Sequence, residues 1–372
     1  MNQLILGDNL EILKSLESES IDLIYLDPPF FSNRNYEVIW GDAGEIRSFQ
    51  DRWSGGIDHY VAWLKERVFE MHRLLKPTGS IFLHCDWHAN AYIRVFILDK
   101  IFGDRNLRNQ IIWKRASIVK NNFVQGAKFF DVNDDSIYFY SKSSSYTFYA
   151  QFSAYRQEYI DSFYKYVEEG TGRRYRLVPL TGPGGASKGN PEYELMGVKK
   201  FWRYSKEKMD ELVKQGMIVQ TKKGNVPQRK QYLDEGKGVP VQTIWDDIDG
   251  IKSVAKERIG YPTQKPEALL ERIILCASNE NDVILDPFVG GGTTVAVADK
   301  LKRNWIGIDQ SVQAIKVSEM RLQKHQDLFS NPFVVQLHKY DYDTLRYKNA
   351  FAFETWIIQQ LGGTPNLNSA TI

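Results

Sequence analysis

The chain has 372 residues, of which 42% are hydrophobic and 25% charged, so it is long enough for one large globular domain or for two. Its net charge of +2 does not by itself argue for binding to nucleic acid. Its two cysteines, Cys85 and Cys276, lie in apolar segments without metal-ligand spacing, which argues against a disulfide framework. The first residues lack a signal-peptide pattern and no apolar run approaches the ~18 residues of a membrane span, so we expect a cytoplasmic protein.

Strands and helices alternate over residues 1–115. Residues 20–27 (SIDLIYLD) are a short apolar run that stops at a double proline, which is typical of a buried strand feeding a loop. Apolar residues at helical spacing predict a helix over 61–75. A strand over 79–84 and a helix over 89–102 follow, and Gly103 is expected to end that helix.

The alternation stops near residue 116 and resumes near Tyr261. Residues 116–260 contain scattered aromatic residues and a Gly/Pro cluster at 181–185, so we predict an inserted region that does not continue the sheet. The elements expected after it are a helix over 267–277, a strand over 282–286, a glycine-rich turn, a helix over 293–301, a strand over 304–309 and a helix from Val312.

This order predicts an α/β domain with a doubly wound, mostly parallel sheet. Its two parts are residues 1–115 and 261–330, and residues 331–372 form a C-terminal extension. The inserted region contains a basic stretch: residues 171–230 have 14 Lys and Arg against 5 Asp and Glu, a net charge of +9 that leaves −7 on the rest. Such a stretch predicts a phosphate-binding surface, although charge alone fits a solvated lysine-rich face equally well.

A glycine-rich loop, residues 286–294 (DPFVGGGTT), follows the strand predicted over 282–286. Glycines at a strand-to-helix turn let the backbone approach a ligand closely. Asp309 ends the next strand 23 positions after Asp286, where a carboxylate can accept hydrogen bonds from ribose hydroxyls. The loop lacks the Gly-Lys-Ser/Thr ending of a triphosphate site and the early G-x-G-x-x-G of a dehydrogenase. We therefore favour a ligand-binding loop over a turn that only tightens packing.

A stiff loop, Asp27-Pro28-Pro29-Phe30, follows the first buried strand. The two prolines fix φ and remove two backbone donors, which leaves carbonyl oxygens as acceptors beside the Asp27 carboxylate and the Phe30 ring. Such a set suits a planar substrate with an amino group. Acceptors that hold both N–H hydrogens favour a pyramidal nitrogen, whose lone pair can attack a sulfonium methyl in line. Taken alone, Asp-Pro-Pro is better interpreted as an ordinary turn.

Together these motifs resemble the β class of amino-methylating DNA methyltransferases, in a subgroup near the type III modification subunits. In that family the catalytic motif comes first, the cofactor motif last and a variable region between them, as residues 27–30, 286–294 and 116–260 do here. Residues 261–266 (YPTQKP) and the Gly7-Asp8 pair also resemble family motifs. The resemblance implies a Rossmann-like class I methyltransferase fold, S-adenosylmethionine as cofactor, and double-stranded DNA whose target base is flipped out of the stack.

The resemblance also implies residue roles. Thr263 and Lys265 would hold the cofactor carboxylate and Asp309 its ribose hydroxyls, while Asp8 would approach its adenine or, alternatively, only cap the following helix. The residues expected around the methionine part are Asp286, Phe288, Gly290, Gly292 and Thr293. The inserted region would be the target-recognition region, with DNA contacts from Arg173, Arg174, Arg176, Lys222 and Lys223, for which a solvated basic loop is the alternative.

Asp27 as the first residue of the catalytic motif favours N6-adenine, since cytosine-N4 members more often carry serine there. Phe30 departs from the tyrosine of many members but keeps a stacking face. Cytosine-N4 methylation, an RNA or small-molecule methyltransferase, and a catalytically silent DNA-binding subunit are the alternatives. We expect no metal, since methyl transfer to an amino group needs none and His84 and His88 fit a strand end near the site. A cognate restriction endonuclease and a homodimer are the expected protein partners.

Overall fold

The computed structural model describes residues 2–31, 35–40, 45–50, 55–116, 128, 130–252, 255–261, 263–325 and 332–338, with the backbone alone for 35–40 and 45–50. The chain forms two compact units, Met1–Gln151 with Val241–Ile372, and Phe152–Pro240. Within the described residues no helix is both long enough and apolar enough to cross a membrane.

The larger unit is built on a nine-stranded sheet. Its strands, in chain order, are β1 (Asn2–Leu6), β2 (Ile21–Leu26), β3 (Leu75–Cys85), β4 (Leu107–Lys114), β5 (Asp134–Ser141), β6 (Ile244–Trp245), β7 (Val283–Asp286), β8 (Asn304–Asp309) and β9 (Phe333–Leu337). Across the sheet they are ordered β6-β4-β5-β3-β2-β7-β8-β1-β9. The strand β5 runs antiparallel to its neighbours β3 and β4, and the other neighbouring pairs are parallel.

Helices cover both faces of this sheet. They are α1 (Asn9–Ser15), α2 (Gly56–Leu74), α3 (Glu267–Ala277), α4 (Thr293–Lys300) and α5 (Val312–His325). Between α2 and β4, Ile93–Leu98 is π-helical and is flanked by the short α-helical pieces Asn90–Tyr92 and Asp99–Ile101. The doubly wound, mostly parallel α/β fold predicted from the sequence is therefore confirmed.

Successive residues of β2 face two different hydrophobic clusters, as the pleat of a strand requires. Leu23 and Tyr25 pack with the inner faces of α3, α4 and α5. Ile24 and Leu26 pack with α1, α2 and the π-helical segment. Both sets are almost completely buried, and each such aliphatic side chain contributes about 1.5–3 kcal/mol through burial. A strand covered on both faces reads as a continuous apolar run, which explains the sequence of residues 21–26.

The parallel strands bring their carboxyl ends to one edge of the sheet. Leu6 lies opposite Asp309, and Asp286 lies opposite Gly307. The loops that follow β1, β2, β7 and β8 therefore emerge side by side. In open α/β sheets this edge is where ligands bind.

The smaller unit contains a four-stranded antiparallel sheet, ordered Ile218–Val219, Gln228–Tyr232, Arg174–Pro179 and Tyr166–Val167. Two further strand pairs and two helices complete it: Glu192–Leu195 with Val198–Phe201, Phe152–Ser153 with Val239–Pro240, Gln157–Phe163 and Lys206–Lys214. A small core of Leu180, Leu195, Trp202 and Met209 supports the Lys206–Lys214 helix.

Two segments inside the predicted insertion, 116–260, belong to the main sheet, so the expectation that this region does not continue the sheet was wrong for them. Residues 134–141 are β5, whose side chains alternate between the two clusters, with Phe139 in one and Tyr140 in the other. Residues 244–245 are the edge strand β6. Two adjoining antiparallel strands without a helix between them carry no strand–helix alternation, so the pattern missed them.

The predicted C-terminal extension, 331–372, also begins inside the sheet. Residues 333–337 form the edge strand β9, which pairs with β1. Residues 339–372, including the tail expected to be frayed over 364–372, lie outside the described residues.

Candidate active site

The loop after β2 presents the Asp27 carboxylate and the Phe30 ring to a cavity of about 460 Å³ at the carboxyl edge of the sheet. Asp27 Oδ2 accepts a hydrogen bond from Lys265 Nζ. Asp27 Oδ1 is buried and has no hydrogen-bond partner within the part of the chain that the structure describes. A buried carboxylate oxygen without a donor is costly unless a ligand supplies one.

Phe30 lies against a buried histidine. Its ring stacks on the imidazole of His84, with centroids 5.6 Å apart and planes inclined at 27°. The His84 Nδ1 lies 2.9 Å from Tyr25 Oη, and its Nε2 lies 3.0 Å from Asp135 Oδ2. Burial alone would raise the pKa of Asp135, but the hydrogen bond from His84, with the nearby cations Lys265 and Arg115, lowers that pKa below its ordinary value. Strands β2, β3 and β5 thus hold the imidazole under Phe30.

The glycine-rich loop closes tightly over the end of β7. Gly290 has a φ of +49°, and a Cβ there would lie 3.2 Å from the Tyr261 ring. Gly292 has a φ of +73°, and a Cβ there would lie 2.6 Å from Ser318 Oγ. Glycine is thus required at both positions by conformation and by space. Gly290 N also donates to Asp309 Oδ2 (3.0 Å), which ties the loop to the end of β8.

Burial raises the pKa values of the two acids at this edge. The pKa of Asp286 rises to about 7, although hydrogen bonds from Thr294 and from the backbone of Phe288 oppose the shift. The pKa of Asp309 rises to about 6, against hydrogen bonds from the backbone of Ser311 and Gly290. Both groups therefore gain from a cationic or donor-rich ligand that favours their ionised forms.

The start of α1 is joined to α2 through one buried arginine. Asp8 caps α1 by accepting a hydrogen bond from Leu10 N (2.9 Å), so the capping interpretation of Asp8 holds, and its carboxylate also lines the cavity. Arg67 Nε donates to Asn9 Oδ1 (2.7 Å), and its guanidinium lies 4.2 Å from the centre of the Trp63 ring. Asn9 Nδ2 in turn donates to the carbonyl of Pro287, in the glycine loop (2.9 Å).

Most of the residues predicted for catalysis and cofactor binding line this one cavity. They are Asp8, Asp27, Pro28, Pro29, Phe30, Thr263, Lys265, Asp286, Phe288, Gly290, Thr293 and Asp309. Gly292 is not among the lining residues and instead begins α4 against Ser318. Pro262, quoted in the motif 261–266, lies outside the described residues.

Several lining residues were not predicted from the sequence, among them Asn9, Tyr25, Trp63 and Arg67. Trp63 and Arg67 are one helical turn apart on α2 and resemble ordinary amphipathic positions. Tyr25 resembles one more apolar residue of a buried strand. No local signal separates these residues from the core, because only the packing of α1, α2 and β2 around the glycine loop brings them to the cavity.

In the smaller unit, the three arginines predicted to contact DNA have partners within that unit. Arg173 makes ion pairs with Asp234 (2.7 Å) and Glu235 (2.8 Å). Arg174 pairs with Asp161 (3.1 Å), and Arg176 donates to the Tyr159 hydroxyl (2.6 Å).

Lys222 and Lys223 lie in an exposed turn and differ from these arginines. Neither has an ion-pair partner within the described residues. The backbone N–H of Asn225 donates to the carbonyl of Lys222 (3.0 Å), which closes the turn. Among the residues that the structure describes, no carboxylate therefore neutralises these two exposed charges.

The acceptors of the cavity fit S-adenosylmethionine. Two buried acids at the ends of β7 and β8 and a loop whose glycines admit a ligand match a ligand with a cationic centre and a ribose. Fold and site together fit an S-adenosylmethionine-dependent methyltransferase of the α/β class.

The chain belongs to the DNA methylase family of N6 and N4 methyltransferases, whose model matches residues 21–320. It is 30% identical over 328 residues to the type II methyltransferase M.EcaI of Enterobacter cloacae, covering 85% of this chain and 68% of that protein. The Mod subunit of the Salmonella typhimurium (strain LT2) type III restriction-modification enzyme StyLTI is 28% identical over 330 residues, which cover 79% of this chain and 49% of that subunit. The DNA adenine methyltransferase YhdJ of Escherichia coli K12 is 29% identical over 320 residues, which cover 86% of this chain and 82% of that protein.

These matches extend along most of this chain, although it spans only about half the length of the StyLTI Mod subunit. The family uses S-adenosylmethionine as methyl donor, so the protein is an S-adenosylmethionine-dependent DNA amino-methyltransferase.

Proposed function

We propose that the protein methylates the exocyclic N6 of adenine within a specific DNA sequence, with Asp27 and Phe30 holding the flipped base. The observation that carries this proposal is the buried Asp27 Oδ1, which has no donor among the described residues and belongs to a residue that lines the same cavity as Phe30. An amino N–H supplies the missing donor, and the purine plane stacks on the ring.

The chemistry follows from these groups. S-adenosylmethionine supplies an electrophilic methyl group on a sulfonium. With the cofactor bound, Asp27 Oδ1 would accept a hydrogen bond from an N–H of the target amine and orient the amine lone pair toward the methyl, so that an N–C bond would form as the C–S bond breaks. The nitrogen then carries an extra proton, and the Asp27 carboxylate is placed to receive it. For the cofactor, we assign the carboxylate to Thr263 and Lys265, the ribose to Asp309 and the adenine to Asp8.

Adenine is favoured over cytosine by two observations. Asp27 stands where cytosine-N4 members of the family more often have serine, and the relative YhdJ is a DNA adenine methyltransferase. Cytosine-N4 methylation is the second candidate, because an acceptor beside an aromatic ring also suits the amine of cytosine.

We assign DNA contact to the smaller unit, as the target-recognition region. Its exposed Lys222 and Lys223 are suited to phosphate, whereas the carboxylates around Arg173 and Arg174 already neutralise those charges. The names of M.EcaI and the StyLTI Mod subunit support a role in restriction-modification, beside a cognate endonuclease. A homodimer remains a prediction from the family resemblance.

The test is to expose unmethylated bacterial DNA to the purified protein and S-adenosylmethionine, digest it to nucleosides and identify the product by mass spectrometry. N6-methyldeoxyadenosine is expected. N4-methyldeoxycytidine would overturn the choice of base, and no methylated nucleoside would overturn the proposed activity. Methylation-sensitive sequencing of the same DNA then identifies the recognition sequence.

A further inference from the structure

The ammonium of Lys265 contacts the carboxylate group and the ring that the proposed function assigns to the target base, although it bonds the other carboxylate oxygen. Its Nζ donates a hydrogen bond to Asp27 Oδ2, and it lies 5.1 Å from the centre of the Phe30 ring. A flipped adenine needs the same carboxylate and the same ring. The ammonium therefore lies over the ring on which the base must stack, and its bond to Asp27 Oδ2 holds it there.

The pair formed by Lys265 and Asp27 is shielded from water. The Lys265 side chain is 11% exposed and that of Asp27 is 16% exposed. Separating such a pair leaves an uncompensated charge in a poorly solvated place, which is strongly unfavourable. A base that stacks on Phe30 must displace the ammonium from the ring, which separates it from Asp27 and incurs that penalty. The exchange becomes favourable only when another anion receives the lysine.

Other hydrogen-bond acceptors compete only weakly with Asp27 for the Lys265 ammonium. Its second hydrogen bond within the described residues is a long one, to the carbonyl of Thr263 (3.4 Å). Lysine is a point charge on a flexible four-carbon stem, so its ammonium can exchange one carboxylate for another without movement of the backbone. Thr263 and Lys265 both line the cavity in which the cofactor carboxylate is proposed to lie.

We infer that Lys265 keeps the base site closed until the cofactor carboxylate draws its ammonium away from Asp27, so that the cofactor binds before the target base enters. The inference rests on the proposed function. Because coupling between two sites is reciprocal, the base in turn strengthens cofactor binding. Lys265 is thus a positioning residue that links the two halves of the cavity.

The first test uses the unaltered protein and a DNA duplex with 2-aminopurine at the methylated position. Fluorescence rises when this base leaves the stack. S-adenosylhomocysteine, which has the carboxylate, should raise the fluorescence and tighten duplex binding by about 5- to 150-fold, the usual range for coupled sites. Methylthioadenosine, which has the nucleoside but no carboxylate, should do neither at saturation. Equal effects of the two ligands would overturn the inference.

The second test replaces Lys265 with methionine, which keeps the length of the side chain and removes its charge. Lys265→Met should extrude 2-aminopurine without any cofactor and bind S-adenosylhomocysteine more weakly. The matched control is Lys76→Met, because Lys76 pairs with Asp22 (2.7 Å) near the opposite end of β2. If Lys265→Met and the unaltered protein give equal 2-aminopurine fluorescence without cofactor, Lys265 binds the cofactor and does not control entry of the base.

The outcomes separate this inference from the proposed function. If the unaltered protein makes no methylated adenine, the proposed function fails. If it methylates adenine but the base is extruded equally well with and without a carboxylate-bearing ligand, only the role of Lys265 fails. The ligand comparison needs no variant, so a poorly folding Lys265→Met protein would not remove the test.

Discussion

At the scale of single residues, the proposed mechanism depends on Asp27. We expect Asp27→Ala to lower the rate of transfer by at least about 10²–10³-fold, the usual effect of removing one preorganised hydrogen-bonding group from a transition state. Cofactor binding should persist, because Asp309 and the glycine loop are unchanged. Tritium transfer to DNA and calorimetric titration with the cofactor measure the two effects. Asp104→Ala, at an exposed acid in a surface turn, is the control, and normal turnover of Asp27→Ala would refute the assigned mechanism.

Asp286 shows how a site residue can lower stability. Its pKa is 3.8 in an unfolded chain and about 7 in the folded protein because of burial. The folded state therefore holds a proton that the unfolded state has lost between these values, so stability declines as pH rises from about 4 to 7. This shift corresponds to about 4 kcal/mol.

Asp286→Asn should remove this pH dependence, since the amide oxygen still accepts the hydrogen bond from Phe288 N. We expect a higher Tm than that of the unaltered protein at pH 8, little difference at pH 4, and weaker cofactor binding. Thermal melts across this pH range measure the difference. A difference in Tm that does not grow with pH would show that Asp286 is already ionised in the folded protein.

At the scale of elements, strands β2, β7 and β8 and helices α3, α4 and α5 were predicted closely, whereas β1, β4, β6 and β9 were not predicted. The helix expected over 267–277 is Glu267–Ala277, and the strand expected over 304–309 is Asn304–Asp309. The spacing of apolar residues that predicts these elements is a local property of the sequence. The antiparallel strand β5 was missed because it pairs with β3 and β4, which are distant from it in the chain. Its own sequence shows no local period that marks it as a strand.

The turn with Lys222 and Lys223 makes a prediction about DNA binding. Replacing both lysines with alanine should weaken binding to all duplexes and reduce the slope of log K against log salt by about 2, since each phosphate contact contributes about 0.9. Arg173→Ala is the comparison, because its charge is already neutralised by Asp234 and Glu235. Filter binding or fluorescence anisotropy at several salt concentrations measures the slopes. A larger reduction for Arg173→Ala would place the DNA interface at the arginines.

At the scale of the whole molecule, the chain leaves the larger unit and returns to it at one point. The N–H of Val241 donates to the carbonyl of Gln151 (2.9 Å), so the ends that flank Phe152–Pro240 are adjacent. Loop closure over a few residues has a small entropic cost. A short linker could therefore join Gln151 to Val241 in place of the smaller unit.

A variant in which residues 152–240 are replaced by a short glycine-serine linker should fold and bind S-adenosylmethionine within a few-fold of the intact protein. Binding to specific DNA should be lost. Calorimetry with the cofactor and anisotropy with a labelled duplex report the two properties, with the full chain as control. Retained sequence-specific binding would show that target recognition lies in the larger unit.

The sequence by itself determined the order of motifs and the residues that carry them. Asp27, Asp286, Asp309 and Lys265 stand out because prolines, glycines and strand ends mark their loops locally. The contact between Lys265 and Asp27 was decided only by the tertiary structure, which brings together two loops 238 residues apart in the chain. The same holds for Arg67 beside Asn9 and for the ion pairs of Arg173. A sequence pattern reports which loops reach an edge of the sheet, whereas the partner of each charge depends on distances that only the packed fold defines.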